Sequence, residues 1–252
     1  MDSLAKSLIA LACVFGAALL AMFFRKHLPD EYRTSESKEV VRLVMGLVVT
    51  TVAIALGLLV GSAKSFYDQQ NAEMAEIAAN YILMDRLLVQ YGPEANDARD
   101  ALRVVLAHQL AGEKTSGSSR MYSNIKAGTQ VGETIVDKVK MLSPQDDDQK
   151  FLKQQCLSLQ VRLGQVRWLM FAQNTVPFPK LLLVTLIAWL ILLFASFGVF
   201  APRNPLVLAG FLASAAVVCA AILLILAMYN PQTGFIRVSD APLRAAMEQL
   251  GR

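Results

Sequence analysis

The chain has 252 residues, of which 55% are apolar and only 17% are charged, and its mean hydropathy is +0.44. Soluble globular domains carry more charge than this, so the composition excludes an ordinary soluble protein. The net charge of +4 is small and dispersed along the chain, and we therefore do not expect nucleic acid as a partner.

The apolar residues are concentrated in four runs, each close to the roughly 20 residues that a helix needs to cross the hydrocarbon of a bilayer. The runs cover about 7–24, 40–61, 181–200 and 206–229. The first run ends in Phe24, Arg25 and Lys26, which is typical of the basic border of a retained helix and not of a signal-peptide cleavage site. The sequence therefore predicts an all-α integral membrane protein with four transmembrane helices.

The four spans are arranged two and two around a long polar region. We predict an N-terminal transmembrane pair, a helical extramembrane domain, a C-terminal transmembrane hairpin and a polar tail with one short helix from Pro242 onward. Their ranges are 1–62, 63–179, 180–229 and 230–252. No proline or turn cluster interrupts the chain from residue 40 to residue 90, so the second span should continue as one helix into the extramembrane domain.

Four amphipathic stretches account for the extramembrane domain, because their apolar residues recur at intervals of three and four. The first continues the second span and ends at Gly92 and Pro93, and the second and third cover about 98–110 and 125–142. We place the start of the fourth at Ser143, as an N-cap followed by proline at the first helical position. No alternation of useful length predicts a strand.

One face of the second span consists of small residues and continues into charged ones. Its members are Gly46, Thr50, Ala53, Gly57, Gly61, Lys64 and Asp68. Small residues allow helix backbones to pack closely, and on this interpretation Lys64 and Asp68 are a solvated pair at helix spacing. Alternatively, several copies of the helix surround a pore, with hydroxyls from Thr50 and rings of Lys64 and Asp68 at its mouth.

We expect no enzymatic activity, no catalytic residues, no cofactor and no metal site. His27 and His108 lie in unrelated segments without the spacing of a zinc site. The three acids at 146–148 lack the spacing of an EF-hand, and the dipole of a starting helix favours acids in any case. The spans have no acids or bases in their interiors, which argues against a coupled transporter but leaves a passive pore open.

Basic residues near the span ends give a divided answer on orientation. The first loop carries five of them, which alone would place that loop in the cytoplasm. The side of the helical domain and the C-terminus are also rich in Lys and Arg, whereas the loop between the last two spans has only Arg203. Because the number of spans is even, both termini share a side with the helical domain. We predict that side to be cytoplasmic, in the plasma (inner) membrane.

Four stretches of the sequence resemble the bestrophin-like family of membrane proteins. They are 28–31 (LPDE), 41–47 (VRLVMGL), 57–65 (GLLVGSAKS) with Tyr67 and Asp68 behind it, and 84–95 (MDRLLVQYGPEA). Bestrophins are pentameric ion channels whose second membrane helix lines the pore and whose cytosolic part is helical. The resemblance therefore implies a homo-oligomer, pentameric by analogy, that conducts inorganic ions through a pore lined by residues 40–68.

Two features depart from that family pattern. Bestrophin pores have a bulky hydrophobic neck with aromatics, whereas the second span has no aromatic residue before Phe66. The acidic calcium clasp of animal bestrophins has no counterpart, since the acids at 146–148 stand at a helix start. Gating residues and calcium dependence therefore do not carry over.

We hold two functional hypotheses. The leading one is a homo-oligomeric channel of bestrophin-like type, whose partners are the lipid bilayer, further copies of itself and inorganic ions. The alternative is a membrane-anchored interaction or signalling protein without conduction, in which the amphipathic stretches at 74–91 and 151–170 bind a soluble partner.

Overall fold

A computed structural model describes residues 3–24, 35–112, 133–175, 180–202, 204–229, 236 and 238–250. Within these ranges every regular element is helical, and the predicted all-α class is confirmed. The helices are α1 (Ser3–Phe24), α2 (Ser35–Tyr91), α3 (Asn96–Gly112), α4 (133–141), α5 (Asp147–Thr175), α6 (Lys180–Phe200), α7 (Pro205–Tyr229) and α8 (Ala241–Gln249). A 3₁₀ turn at Pro93–Ala95 joins α2 to α3.

Four of these helices are long and apolar enough to cross a membrane: α1, α2, α6 and α7. The predicted number of spans is confirmed. The chain turns between α6 and α7 at Asn204, whose carbonyl accepts from the Leu208 N–H (3.1 Å) and whose Oδ1 accepts from the Leu206 N–H (3.1 Å). Asn204 thus caps α7, and Pro205 occupies the first helical position, where its missing N–H costs no hydrogen bond.

The chain divides into two compact units, each with its own core. The first, here called the membrane unit, consists of Met1–Phe66 and Pro177–Asn230. The second, here called the helical unit, consists of Tyr67–Val176 and Pro231–Arg252.

In the membrane unit, α1 packs against both α6 and α7. The contact with α6 depends on Gly198, since a Cβ at that position would lie 2.6 Å from the backbone oxygen of Ala18 and 3.0 Å from the Cβ of Ala21. The thiol of Cys219 donates to the carbonyl of Ser7 (2.8 Å) and links α7 to α1. Small residues here allow two helix backbones to approach closely.

In the helical unit, one face of α2 packs into the core. The largest fully buried side chains belong to α2, α3, α4 and α5, and they are Tyr81, Met84, Leu88, Leu102, Leu106, Ile135 and Leu163. Helix α8 adds Leu243, Ala246 and Leu250 to the same core, and both Nε and Nη2 of Arg103 donate to the carbonyl of Leu250 at its end. The tail at 230–252, which we set apart on composition, therefore contributes a packed helix to this unit.

The start of α5 differs from our prediction. We placed the N-cap at Ser143, but the helix begins at Asp147 and Oδ1 of Asp146 accepts from the N–H of Gln149 (2.7 Å). Aspartate caps a helix as well as serine does. The later start also lets the Gln149 side chain accept from the N–H of Gln145 (2.8 Å), so two backbone donors are satisfied together.

Candidate pore-lining face

The candidate face belongs to α2, which is one helix of 57 residues. At 1.5 Å per residue it is about 85 Å long, well beyond the roughly 30 Å of a hydrocarbon core. It ends where Gly92 takes a φ of 121°, a conformation that favours glycine, and where a Cβ would meet the Glu94 carboxylate at 2.8 Å. The predicted continuation of the second span into the helical region is confirmed.

All seven candidate positions are exposed in the protomer. They are Gly46, Thr50, Ala53, Gly57, Gly61, Lys64 and Asp68. At 100° per residue they occupy a sector of α2 only about 80° wide. The buried side chains of the same stretch, Val52, Leu59 and Ala63, lie on the far side and pack into the core of the membrane unit. The candidate face is therefore not the side of α2 that packs into its own protomer.

The glycines of this face have no close neighbours. A Cβ added at Gly46, Gly57 or Gly61 would meet no heavy atom within 4 Å outside its own helix segment. Among the described residues, no helix of the same protomer packs on these glycines, in contrast to Gly198 on α6. One form of the close-packing interpretation is that these glycines pack against another helix of the same protomer. The structure does not support that form.

Helix α2 is also the span that its own protomer covers least. Only 11% of its most apolar window is buried, against 28% in each of the other three spans. Leu47 and Leu58, on one flank of the candidate face, are each 71% exposed, and Leu43, at the edge of that face, is 72% exposed. In a membrane these side chains must be covered by lipid or by another protein surface.

Thr50 carries the hydroxyl nearest the middle of the candidate face. Its Oγ1 donates to the carbonyl of Gly46 (3.0 Å), one turn earlier, and Thr51 makes the same bond to Leu47 (3.0 Å). The proton of the Thr50 hydroxyl is thus used inside the helix, while its oxygen keeps a lone pair that can accept from water or approach a cation.

Lys64 and Asp68 are one turn apart on α2, Lys64 at the end of the membrane unit and Asp68 at the start of the helical unit. Near them the end of α7 is joined to α2 by Tyr229. Its ring stacks on Phe66 (5.4 Å between centroids, 18° between planes) and its hydroxyl lies 2.9 Å from that of Ser62. These contacts hold α2 against the end of α7 at positions two residues before and two residues after Lys64.

A layer of buried polar side chains in the helical unit was missed by the sequence analysis. Oε1 of Glu73 accepts from Gln69 (3.2 Å) and from Gln173 (2.7 Å), and Gln173 in turn accepts from Gln70 (3.0 Å). One feature of the sequence could have indicated this layer. Gln70 and Glu73 lie on the same side of α2 as the apolar residues that follow them. The layer joins α2 to α5 and pairs no nucleophile with a base.

Nothing in the described part of the chain forms a group of three or more His, Cys, Asp or Glu side chains that could hold a metal ion. The acids at 146–148 are used locally: Asp146 caps α5, and Asp147 pairs with Lys150 (2.9 Å) in its first turn.

A family model described as the bestrophin-like domain matches residues 11–243. The chain belongs to the bestrophin-like family. Two crystal structures of a bacterial bestrophin homolog from Klebsiella pneumoniae, each with a different point mutation, share its fold. Their TM-scores are 0.65 and 0.66 at 13% and 12% identity, and the match covers 97% of this chain and 97% of each of theirs. No curated protein sequence matches the chain.

Membership of the bestrophin-like family confirms the resemblance seen in the four sequence stretches. It also makes the departures concrete. In this bestrophin-like protein the candidate face has no aromatic side chain, and the exposed Leu47 and Leu58 stand to one side of its small residues.

Proposed function

We propose that this bestrophin-like protein is a homo-oligomeric ion channel in which copies of α2 surround a shared axis. The observation that carries the proposal is the exposure of all seven candidate positions on the span least covered by its own protomer. The membrane-protein family to which the chain belongs, whose known members are ion channels, supports the same conclusion. A pentamer follows from analogy with the bestrophins.

The sizes of the residues on α2 indicate that the candidate face borders a central lumen and not lipid. A lipid-facing surface gains from large apolar side chains, and a stripe of glycine and alanine offers little of that area. Facing a lumen, the same glycines widen the passage and Thr50 supplies a hydroxyl oxygen. The exposed Leu47 and Leu58 on the flank are then covered by the neighbouring copy of the helix.

Charged rings at the end of the lumen would govern which ions enter. Each copy of α2 contributes Lys64 and, one turn later, Asp68. We propose that the Lys64 ring raises the local concentration of anions and that the Asp68 ring opposes it. The helical unit and both termini lie in the cytoplasm on this proposal, because that side is rich in Lys and Arg whereas the loop between the last two spans has only Arg203.

Purified protein in planar bilayers tests conduction directly. Under a salt gradient, Lys64→Glu should move the reversal potential toward that of the cation, because five positive charges become five negative ones in a pentamer. Lys140→Glu is the matched control, since Lys140 is an exposed lysine on α4 and not on the candidate face. An unchanged reversal potential in Lys64→Glu would remove Lys64 from the lining.

A properly assembled oligomer without conductance at any salt or voltage would count against the channel itself. A soluble partner captured with it in fixed stoichiometry would then favour the membrane-anchored interaction protein.

A further inference from the structure

An aromatic patch lies exposed outside the four spans, near the end of α5. Trp168 is 59% exposed and its ring packs edge to face on Phe171 (5.9 Å between centroids, 87° between planes). Leu169 beside it is 50% exposed. Leu163 and Val166 occupy the opposite side of the helix and are buried in the core of the helical unit. No side-chain rotation can therefore bring the Trp168 ring into that core.

Lipid around a span does not account for this exposure, because α5 is not one of the helices apolar enough to cross a membrane. Tryptophan also has an indole N–H that needs an acceptor, so a purely hydrocarbon neighbour fits it poorly. The environment that suits this side chain is apolar on one side and hydrated on the other. The boundary between lipid headgroups and acyl chains has this character, and tryptophan is enriched there.

The position of Trp168 along the chain points to the same neighbour. It stands seven residues before the end of α5 at Thr175, which is about 10 Å of helix. Leu181, the first residue of the third span, follows six residues later, a stretch that reaches at most about 20 Å. The patch is therefore tethered close to the point where the chain enters the bilayer. Phe151 is equally exposed at 60% but is separated from Thr175 by about 36 Å of helix.

We propose that the patch formed by Trp168, Leu169 and Phe171 inserts into the headgroup region of the bilayer and anchors the C-terminal end of α5 to the membrane surface. The aromatic rings and Leu169 bury apolar area at the acyl boundary, and the indole N–H donates to lipid oxygens. This inference requires the chain to span a membrane but is independent of conduction.

The chain is well suited to a test, because it contains only two tryptophans, Trp168 and Trp189. Replacing Trp189, which lies in the third span, by Phe leaves Trp168 as the only tryptophan. The full-length variant is reconstituted into phosphatidylcholine vesicles whose acyl chains are brominated near the headgroup end, near the methyl end, or not at all. We expect the shallow bromines to remove most of the Trp168 fluorescence, the deep bromines to remove less, and iodide in the water to have little effect.

Two control variants each place the single tryptophan at a different position. Trp168→Phe leaves Trp189 alone, and its fluorescence should respond more to the deep bromines than to the shallow ones. The triple variant Phe151→Trp, Trp168→Phe, Trp189→Phe places the only tryptophan at the far end of α5, where neither brominated lipid should quench it. If Trp189→Phe fails to assemble, the difference between the native protein and Trp168→Phe isolates the Trp168 signal.

Two outcomes would overturn the proposal. Strong iodide quenching with no effect of brominated lipid would place Trp168 in water. Insensitivity to both quenchers would place a protein surface over the patch, of which a second copy of this chain is the nearest candidate.

Discussion

The two halves of α2 differ sharply in their surroundings, although they belong to one uninterrupted helix. In the helical unit, Tyr81, Met84 and Leu88 are completely buried, and this face of the helix forms part of a core. In the membrane unit, α2 is the least covered span, and Leu58 is 71% exposed. One helix therefore contributes a fully buried face to one core and is a largely uncovered surface of the other unit.

The membrane unit repeats this contrast at the level of single glycines. Gly198 lies in close contact with Ala18 and Ala21, whereas Gly57 faces open space. Both are glycines in apolar helices, so residue type and local hydropathy do not distinguish them. Glycine permits close backbone contact in one place and leaves room in the other.

The largest effect should come from truncating one leucine in each half of α2. Leu88→Ala removes a fully buried side chain and should lower the free energy of unfolding of the helical unit by about 2–5 kcal/mol. Leu58→Ala removes an exposed one and should change the stability of the isolated protomer by less than about 0.5 kcal/mol. Denaturant unfolding followed by circular dichroism measures both. Equal losses would contradict the contrast.

A second pair of variants compares the two kinds of glycine. Gly198→Ala forces a Cβ against the Ala18 backbone and should cost about 1–3 kcal/mol. Gly57→Ala has room, so its higher helix propensity should stabilise the protein by up to about 1 kcal/mol. Gly210→Ala, also with open space around it, is the control. Thermal unfolding in detergent compares the three, and destabilisation by Gly57→Ala in the oligomer alone would show close packing between copies.

The thiol of Cys156 provides a pH test of the helical core. Burial raises its pKa from the ordinary value of 9.0 to about 12, so the native state keeps the proton that the unfolded chain releases. The contribution of the neutral thiol to stability is complete below pH 9 and is lost as the pH rises toward 12. In Cys156→Ala this part of the alkaline loss should disappear. Urea midpoints between pH 8 and pH 11 for both proteins measure the difference.

The smallest change in stability is expected at Thr50. Thr50→Val keeps the shape of the side chain and removes an exposed hydroxyl, so unfolding should shift by no more than about 0.5 kcal/mol. If Thr50 lines the lumen, the single-channel current should fall, because an apolar ring disfavours water in a narrow pore. Thr51→Val is the matched control, since it loses the same kind of bond on the neighbouring position. Equal currents in both variants would take Thr50 out of the lining.

Sequence reasoning reached the features that depend on local pattern. Uninterrupted apolar runs predicted the four spans, and the absence of a breaker before Gly92 predicted the continuity of α2. It missed the start of α5, because Ser143 and Asp146 are both good N-cap residues. Only the hydrogen bonds of the folded chain show which of them caps the helix. It also missed the docking of α8, since the pattern of a nine-residue helix does not reveal its partner.

The sequence by itself determined that the chain is helical, that four segments are apolar enough for a membrane, and that α2 carries a narrow face of small residues. These properties follow from hydropathy and from the 3.6-residue period, which are local. Only the tertiary structure decided which small residues are in contact and which are open, because contact depends on where a distant helix lies. Gly198 meets Ala18 across 180 positions of sequence, whereas a Cβ at Gly57 would meet no neighbouring helix in the described part of the chain.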